Sequence, residues 1–560
     1  MRICVSCRTR RAAVLLAIAA IACPVHPAPP PAAPWHRQVD TIFAPWTGAA
    51  TPGCAVGINR NGVPDYAHGY GMANLEYGVP VTPQTVFHTA SLAKQFTAFA
   101  IGLLAQEGKL GLDDDIRTYL PQLPQLPGHG RVITIAQLVH HTDGLREQGQ
   151  LLNLAGWRGD DLYTEDDILW ILARQRRLNF EPGSEIVYGN AAYTLLAVIV
   201  RQVSGQPLRA FAEERIFRPL GMRATRFRDD HTEMVPRRAA AYSPRAGGGW
   251  SISVPNIDHY GSTSVLSTVG DLLVWQQNLL DHRVGGTALV AWMRTSGVLN
   301  DGTATGYGGG LYMRTYRGLR TVGHDGADGG YRAETLLFPD HALAIAVLCN
   351  GAAIAPAALA RRVAEAYLGD KMGPPPLAAP VAVADSAQAA WAGVWWSEAT
   401  DEVVRLEWRD GALRQPGAAA GLVPLGGALF RPLDLAHEWR FQQPSSGPAT
   451  LQIRDFWPTR RTFTRQDGAL PGLPALAAFS GRYHSEETDT RYTVRLADGR
   501  LTLSWPRGYA VVLDPVGGDR FVGSLGTISF TRAANGDVSG LVISNRRLRR
   551  FVAQRVAEAG

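Results

Sequence analysis

The last third of this chain is written twice. Ala390-Trp391-Ala392-Gly393 returns as Ala478-Phe479-Ser480-Gly481, 88 positions later. At the same spacing Ser397-Glu398 returns as Ser485-Glu486, Thr400-Asp401 as Thr488-Asp489, and Asp410-Gly411 as Asp498-Gly499. A leucine follows each Asp-Gly pair, at Leu413 and Leu501. At a spacing of 91, Pro424-Leu425-Gly426-Gly427 with Phe430 echoes Pro515-Val516-Gly517-Gly518 with Phe521. Both copies alternate apolar and polar residues between Asp-Gly and Gly-Gly turns, as short antiparallel strands do. Strands that recur as a unit predict two small all-β barrel domains, or sandwiches, in tandem at 390–466 and 475–560. The break at Gly373-Pro374-Pro375-Pro376 and the Ala/Pro run after it make 371–389 a linker.

Ahead of the linker the texture changes. From 37 to 370 strand-like runs alternate with amphipathic helical segments, and Gln95 to Glu107 reads as a buried helix closed by Gly108. With 46% hydrophobic and 19% charged residues, the 560-residue chain is neither disordered nor a coiled coil. Its net charge of +6 is concentrated in residues 1–22, where Arg2, Arg8, Arg10 and Arg11 face no acid. The remainder carries 51 basic against 49 acidic residues, which gives no electrostatic case for nucleic acid as a partner. Arg546, Arg547, Arg549 and Arg550 read as a solvated strand face.

The basic start runs into an apolar stretch, Ala12 to Ala22, too short to span a bilayer but suited to a secretory signal over 1–22. Ala20-Ile21-Ala22 supplies the small-x-small cleavage site, and Cys23 follows it as a residue able to accept a lipid. Residues 23–36 form a Pro/Ala-rich tether. The expectation is a periplasmic or secreted protein, a lipoprotein if Cys23 is acylated. Cys54 and Cys349, each inside a strand-like apolar run, read as two buried thiols.

Several chemistries are excluded by missing motifs. There is no Gly-x-Ser-x-Gly elbow, no His-Glu-x-x-His and no P-loop, and the one closely spaced cysteine pair, Cys4-Val5-Ser6-Cys7, lies in the leader-like segment 1–22. His140 and His141 are adjacent and point apart on any regular element. No metal and no cofactor are expected. What stands out is Ser91-Leu92-Ala93-Lys94 at the opening of the buried helix. A spacing of three sets Ser91 beside Lys94 on one helical face, where a buried amine of lowered pKa can take the hydroxyl proton. The helix start adds a free backbone N–H for an oxyanion. Two further motifs follow in order: Tyr188-Gly189-Asn190 after a Pro-Gly turn, and His324-Asp325-Gly326 leading into Ala327 and a strand, Tyr331 to Phe338.

Together these three motifs resemble the serine β-lactamase and penicillin-binding superfamily, in its class C-like branch. Residues 134–145 and 264–272 resemble framework stretches of that family, and the likeness covers roughly 37–370. It implies an α+β, β-lactamase/transpeptidase-like catalytic domain, an antiparallel sheet flanked by helices. Two C-terminal barrels make the whole similar to the D-aminopeptidase group, whose barrels are lipocalin-like. By that resemblance Ser91 is the nucleophile, Lys94 and Tyr188 share the proton work, and His324 is catalytic in place of the usual lysine. Asn190 binds the substrate amide, and the Ser91 and Ala327 amides beside Gly326 form the oxyanion hole. Asp325 stands where a hydroxyl normally grips a substrate carboxylate, so free C-termini near the scissile bond are expected to be disfavoured. The family sheet sets its first strand beside its last, which would let Cys54 and Cys349 bond in an oxidising compartment. In D-aminopeptidases a loop of the last barrel reaches the site. Gly517-Gly518-Asp519 is one candidate for that loop, although the first repeat has the same turn with Ala428 in place of the acid.

The implied function is an exported serine hydrolase acting on D-amino-acid amides, short peptides or small esters. A class C-like β-lactamase or DD-carboxypeptidase is the alternative, and a catalytically dead ligand-binding protein is the non-enzyme reading. The implied partners are a small-molecule or peptide substrate, and a membrane only through a lipid on Cys23. A homodimer is left open.

Overall fold

The computed structural model describes residues 34–125, 132–374, 379–418, 420–433, 437–468 and 470–557. The leader over 1–22, Cys23 and most of the tether lie outside the described residues. Pro34–Phe43 is already helical, so the last positions assigned to the tether belong to the first domain. Among the described residues no helix is long and apolar enough to cross a membrane.

The first domain is built on a six-stranded antiparallel sheet. In spatial order its strands are Tyr312–Tyr316, Leu319–Asp328, Tyr331–Phe338, Leu343–Cys349, Cys54–Arg60 and Val63–Tyr70. Cys54–Arg60, apolar as far as Ile58, and Leu343–Cys349, apolar throughout, take this pattern because both faces of the sheet centre are covered. Val56, Ile58 and Ile345 face a cluster with the helices Pro34–Phe43 and Pro356–Leu368. Ala55 and Leu348 face the opposite cluster, which holds Phe96 and Phe99 of the helix Ala93–Gln106. Cys54 stands directly opposite Cys349 in the register, and the two form a disulfide with Cα atoms 4.1 Å apart. The expected free thiols are therefore bonded. Adjacent strands and matched face parity bring them together.

Both repeats are all-β. The first has eight strands from Gly393–Trp396 to Arg460–Gln466, with a short helix, Asp385–Ala389, inside the segment read as linker. Its sheet curls until the Leu422 amide donates to the Leu413 carbonyl across its two edges (2.7 Å). The second repeat closes fully, eight strands running from Gly481–Ser485 to Leu548–Val556. The first repeat keeps its own core around Trp395, Phe430 and Phe441. The core of the second barrel merges with that of the first domain.

Candidate active site

The nucleophile turn is made where a strained backbone meets a helix. Ala90 sits at φ 50°, in the left-handed region, and Ala90–Leu92 forms a 3-10 turn that feeds the helix Ala93–Gln106. That turn leaves Ser91 half-buried at the cleft while Lys94, one turn on, is fully buried. Lys94 Nζ lies 3.2 Å from Ser91 Oγ, 2.8 Å from Asn190 Oδ1 and 2.7 Å from the Ser262 carbonyl. Burial lowers its pKa from the ordinary lysine value to about 7, against the raising influence of the Glu147 carboxylate. A neutral amine has two N–H donors, which the Asn190 and Ser262 oxygens accept, and one lone pair, which points to the Ser91 hydroxyl.

Tyr188 lies beside this pair, its ring centroid 4.8 Å from Lys94 Nζ. The ring keeps some exposure, but the hydroxyl oxygen is buried and makes no well-formed hydrogen bond. Burial pushes this phenol well above its usual range, only partly offset by the nearby Ser91 hydroxyl. Tyr188 therefore keeps its proton and stands where it could donate it, and Lys94 stands where it could accept one.

Asn190 ends the loop before the helix Ala191–Ser204 and is fixed by Glu147. Glu147 accepts the Asn190 backbone amide at 2.8 Å and its side-chain amide at 3.2 Å. With Oδ1 engaged by Lys94, one side-chain N–H remains for a substrate. Glu147 carried no sequence signal, because nothing in its spacing ties it to Asn190.

The strand Leu319–Asp328 forms the opposite wall. It pairs with Tyr312–Tyr316 only as far as Gly323, so Gly326 and Ala327 run past the nucleophile turn with that edge free. A Cβ on Gly326 would sit 2.4 Å from the Thr89 carbonyl, and only glycine lets the strand approach this closely. Ala327 joins Ser91 in lining the cleft. The Ser91 amide belongs to the first helical turn, whose N–H groups lack intrahelical partners.

His324 is not free to carry protons. Its Nδ1–H donates to the Asp325 carbonyl (2.6 Å), which leaves Nε2 to accept the Tyr307 hydroxyl (3.0 Å). The ring stacks on Tyr312 at 4.4 Å, and burial lowers its pKa to about 4. A neutral imidazole with both nitrogens spent packs Tyr188 from 5.9 Å, so the expected catalytic role becomes a positioning one. The Asp325 side chain is exposed on the other face of the strand.

The cleft has a volume of about 180 Å³, and Ser91, Glu147, Leu152, Ile168, His259 and Asp328 are among its lining residues. Burial would raise the Asp328 carboxyl, but hydrogen bonds from His88 (3.0 Å) and Thr263 (2.9 Å) hold it below the usual range. A larger depression, near 430 Å³, lies elsewhere among the ion-paired Arg209, Arg226 and Asp229.

Both β domains reach this site. From the first repeat, Trp457 lies 6.1 Å from Tyr307 and 6.0 Å from Tyr312, ring to ring. From the second, the hairpin turn Asn545–Leu548 places the Arg547 guanidinium 5.3 Å over the Tyr188 ring. The arginine run is therefore no solvated face. Arg546 pairs with Asp455 of the first repeat, and the buried Arg549 pairs with Glu185. Asp519, by contrast, is bound to Arg532 on the barrel exterior. His141 was also missed. Its buried ring packs 4.5 Å from Tyr188, and its carbonyl accepts the Val187 amide.

A helix-borne Ser-Lys pair, a Tyr-x-Asn loop and an antiparallel strand closing the cleft define a family, and the beta-lactamase family model matches residues 39–369. The chain belongs to that family. It is similar to the D-aminopeptidase of Gluconobacter oxydans (strain 621H), 27% identical over 315 residues, 56% of this chain and 59% of that protein. It is also similar to the D-aminopeptidase of Brucella ovis (strain ATCC 25840 / 63/290 / NCTC 10512), 28% identical over 361 residues, 64% and 66% of the two chains. In both cases the match spans less than two thirds of the relative's length. Two solved structures share the fold. The octameric penicillin-binding protein homologue from Pyrococcus abyssi aligns with a TM-score of 0.54 at 21% identity, over 85% of this chain and 99% of that one. D-amino acid amidase from Ochrobactrum anthropi SV3 aligns with a TM-score of 0.51 at 22% identity, over 60% and 99%.

Proposed function

We propose that the chain is a serine hydrolase that works through an acyl-enzyme on Ser91 and acts on amides or peptides of D-amino acids. The observation that carries this is the buried Lys94, whose Nζ lies 3.2 Å from the Ser91 hydroxyl oxygen and whose pKa burial lowers to about 7. Neutral Lys94 takes the hydroxyl proton as Ser91 Oγ bonds to the substrate carbonyl carbon. The oxyanion forms against the Ser91 and Ala327 amides. As the C–N bond breaks, Tyr188 gives its proton to the departing amine and regains one from Lys94. Water then hydrolyses the ester by the same route in reverse roles. On the acyl side, the Glu147 and Asp328 carboxylates lining the cleft suit an α-ammonium group. The preference for D-amino acids comes from the names of the similar proteins alone.

Exposure of the protein to a fluorophosphonate, followed by intact and peptide mass spectrometry, should add one phosphonyl group on Ser91, and Ser91→Ala should abolish both the adduct and turnover of a D-alanine p-nitroanilide. An adduct elsewhere, or activity retained by Ser91→Ala, sinks the reading. The Cys54–Cys349 bond and the leader-like residues 1–22 support an exported, oxidising location. Non-reducing peptide mapping of protein from the native cell fractions would contradict this by finding free thiols in a cytosolic pool.

A further inference from the structure

A cation reaches this site from a different domain. Arg547 lies on the turn between the last two strands of the second barrel, and that turn is anchored twice. Within it, the Asn545 side chain accepts the Arg547 and Leu548 amides, each at 3.0 Å. Outward, the Arg547 carbonyl accepts the Glu147 amide (3.1 Å) and the Asn179 side-chain amide (2.9 Å). The backbone is thus docked on the first domain, and the side chain projects from a fixed base.

Its three neighbours in the run all have partners: Arg546 with Asp455, Arg549 with Glu185, and Arg550 with the Glu398 carbonyl. Arg547 makes no hydrogen bond or ion pair from its guanidinium among the described residues. It is half-buried over Tyr188, on the same ring that Lys94 faces. The nearby charged and titratable groups are Lys94, Tyr188, His141 and the Asp325 carboxylate, which acts on Lys94 and Tyr188 but makes no ion pair with Arg547 among the described residues, while Glu147 turns its carboxylate to Asn190. An unpaired, half-buried guanidinium is a site for an arriving anion. Tyr188 hands its proton to the leaving group, so what hangs on the leaving group meets Arg547. The residues lining the acyl-side cleft do not include it.

We propose that Arg547 is a specificity-determining residue that receives a carboxylate carried by the leaving group, so that this chain favours peptides releasing an amino acid with a free C-terminus over peptides capped there as amides. This reverses the expectation drawn from Asp325 and rests on the acyl-enzyme reading of Ser91. The test compares kcat/KM for D-alanyl-glycine and D-alanyl-glycinamide in the full chain, in Arg547→Gln and in Arg547→Lys. Reading the ratio of the two substrates cancels any general loss of folded enzyme. The wild type should favour the free carboxylate by about 10- to 100-fold, the effect of a charged hydrogen bond. Arg547→Gln should bring the ratio near one, and Arg547→Lys should keep part of it. A ratio that Arg547→Gln does not change, or a wild type that prefers the amide, overturns the proposal. If neither peptide is cleaved, their relative protection of Ser91 against the fluorophosphonate is read in the same way. Absence of any Ser91 labelling instead refutes the acyl-enzyme reading, and this proposal falls with it.

Discussion

Lys94 has no exposed surface, yet the proposed mechanism requires its amine to change charge during every turnover. Only the neutral amine can accept the Ser91 proton, and with a pKa of about 7 it is the ammonium form that disappears as pH rises. Acylation should therefore rise through a limb near pH 7, seen in kcat/KM or in the rate of fluorophosphonate labelling. Glu147 sets the position of that limb. Its negative charge favours the ammonium, so Glu147→Gln, which keeps an acceptor for the Asn190 side chain, should lower the Lys94 pKa and move the limb to lower pH. A limb that stays in place or moves upward would show that some other group is titrating. Ser91 and Lys94 were legible in the sequence because one helical turn carries both. Glu147 was not, since its bond to Asn190 depends on two loops meeting.

At the level of elements, the sheet is closed across its middle by the Cys54–Cys349 bond, which joins residues 295 positions apart. Because Cys54, Val56 and Ile58 share one face, the bond lies under the helices Pro34–Phe43 and Pro356–Leu368, on the side of the sheet away from the nucleophile helix. Replacing both cysteines by serine should cost about 2–5 kcal/mol of stability and leave kcat nearly unchanged. Thermal melts with kcat measured well below the transition would check this, and a large fall in kcat would mean that the sheet transmits strain to the strand of Gly326. Strand-like runs made the two cysteines recognisable as buried. Whether they faced each other depended on register and parity, which no single strand records. The same limit hid the role of Arg547. In the sequence Arg547 belongs to an arginine run that reads as a solvated strand face, and the ring it covers, Tyr188, is supplied by another domain.

Across the whole molecule, the sequence suggests detachable barrels on an independent catalytic domain, and only the first repeat has the separate core that this requires. The second barrel shares one apolar cluster with the first domain, running from Leu152 and Leu154 to Tyr492 and Trp505. Along that seam Tyr492 donates to the Leu154 carbonyl (2.7 Å) and Trp505 to the Asn153 carbonyl (2.8 Å). Arg146 is buried in it, and its guanidinium bonds are all to the barrel: the Glu487 carboxylate and the Arg549 and Arg550 carbonyls. An interface of this kind makes two domains one cooperative unit, because neither can open without exposing apolar surface and stranding a buried cation. Calorimetry of the full chain should therefore show the first domain and the second barrel melting together, with the first repeat as a separate transition. Glu487→Leu leaves Arg146 buried without its counter-ion, and should destabilise the joint transition by about 3–5 kcal/mol while the transition of the first repeat stays where it was. Three independent transitions, or a Glu487→Leu variant that shifts the barrel alone, would show that the seam does not couple the two. If the coupling holds, removing the second barrel takes away the support of Glu147 as well as Arg547, and the truncated chain should lose turnover of every substrate rather than change its preference among them.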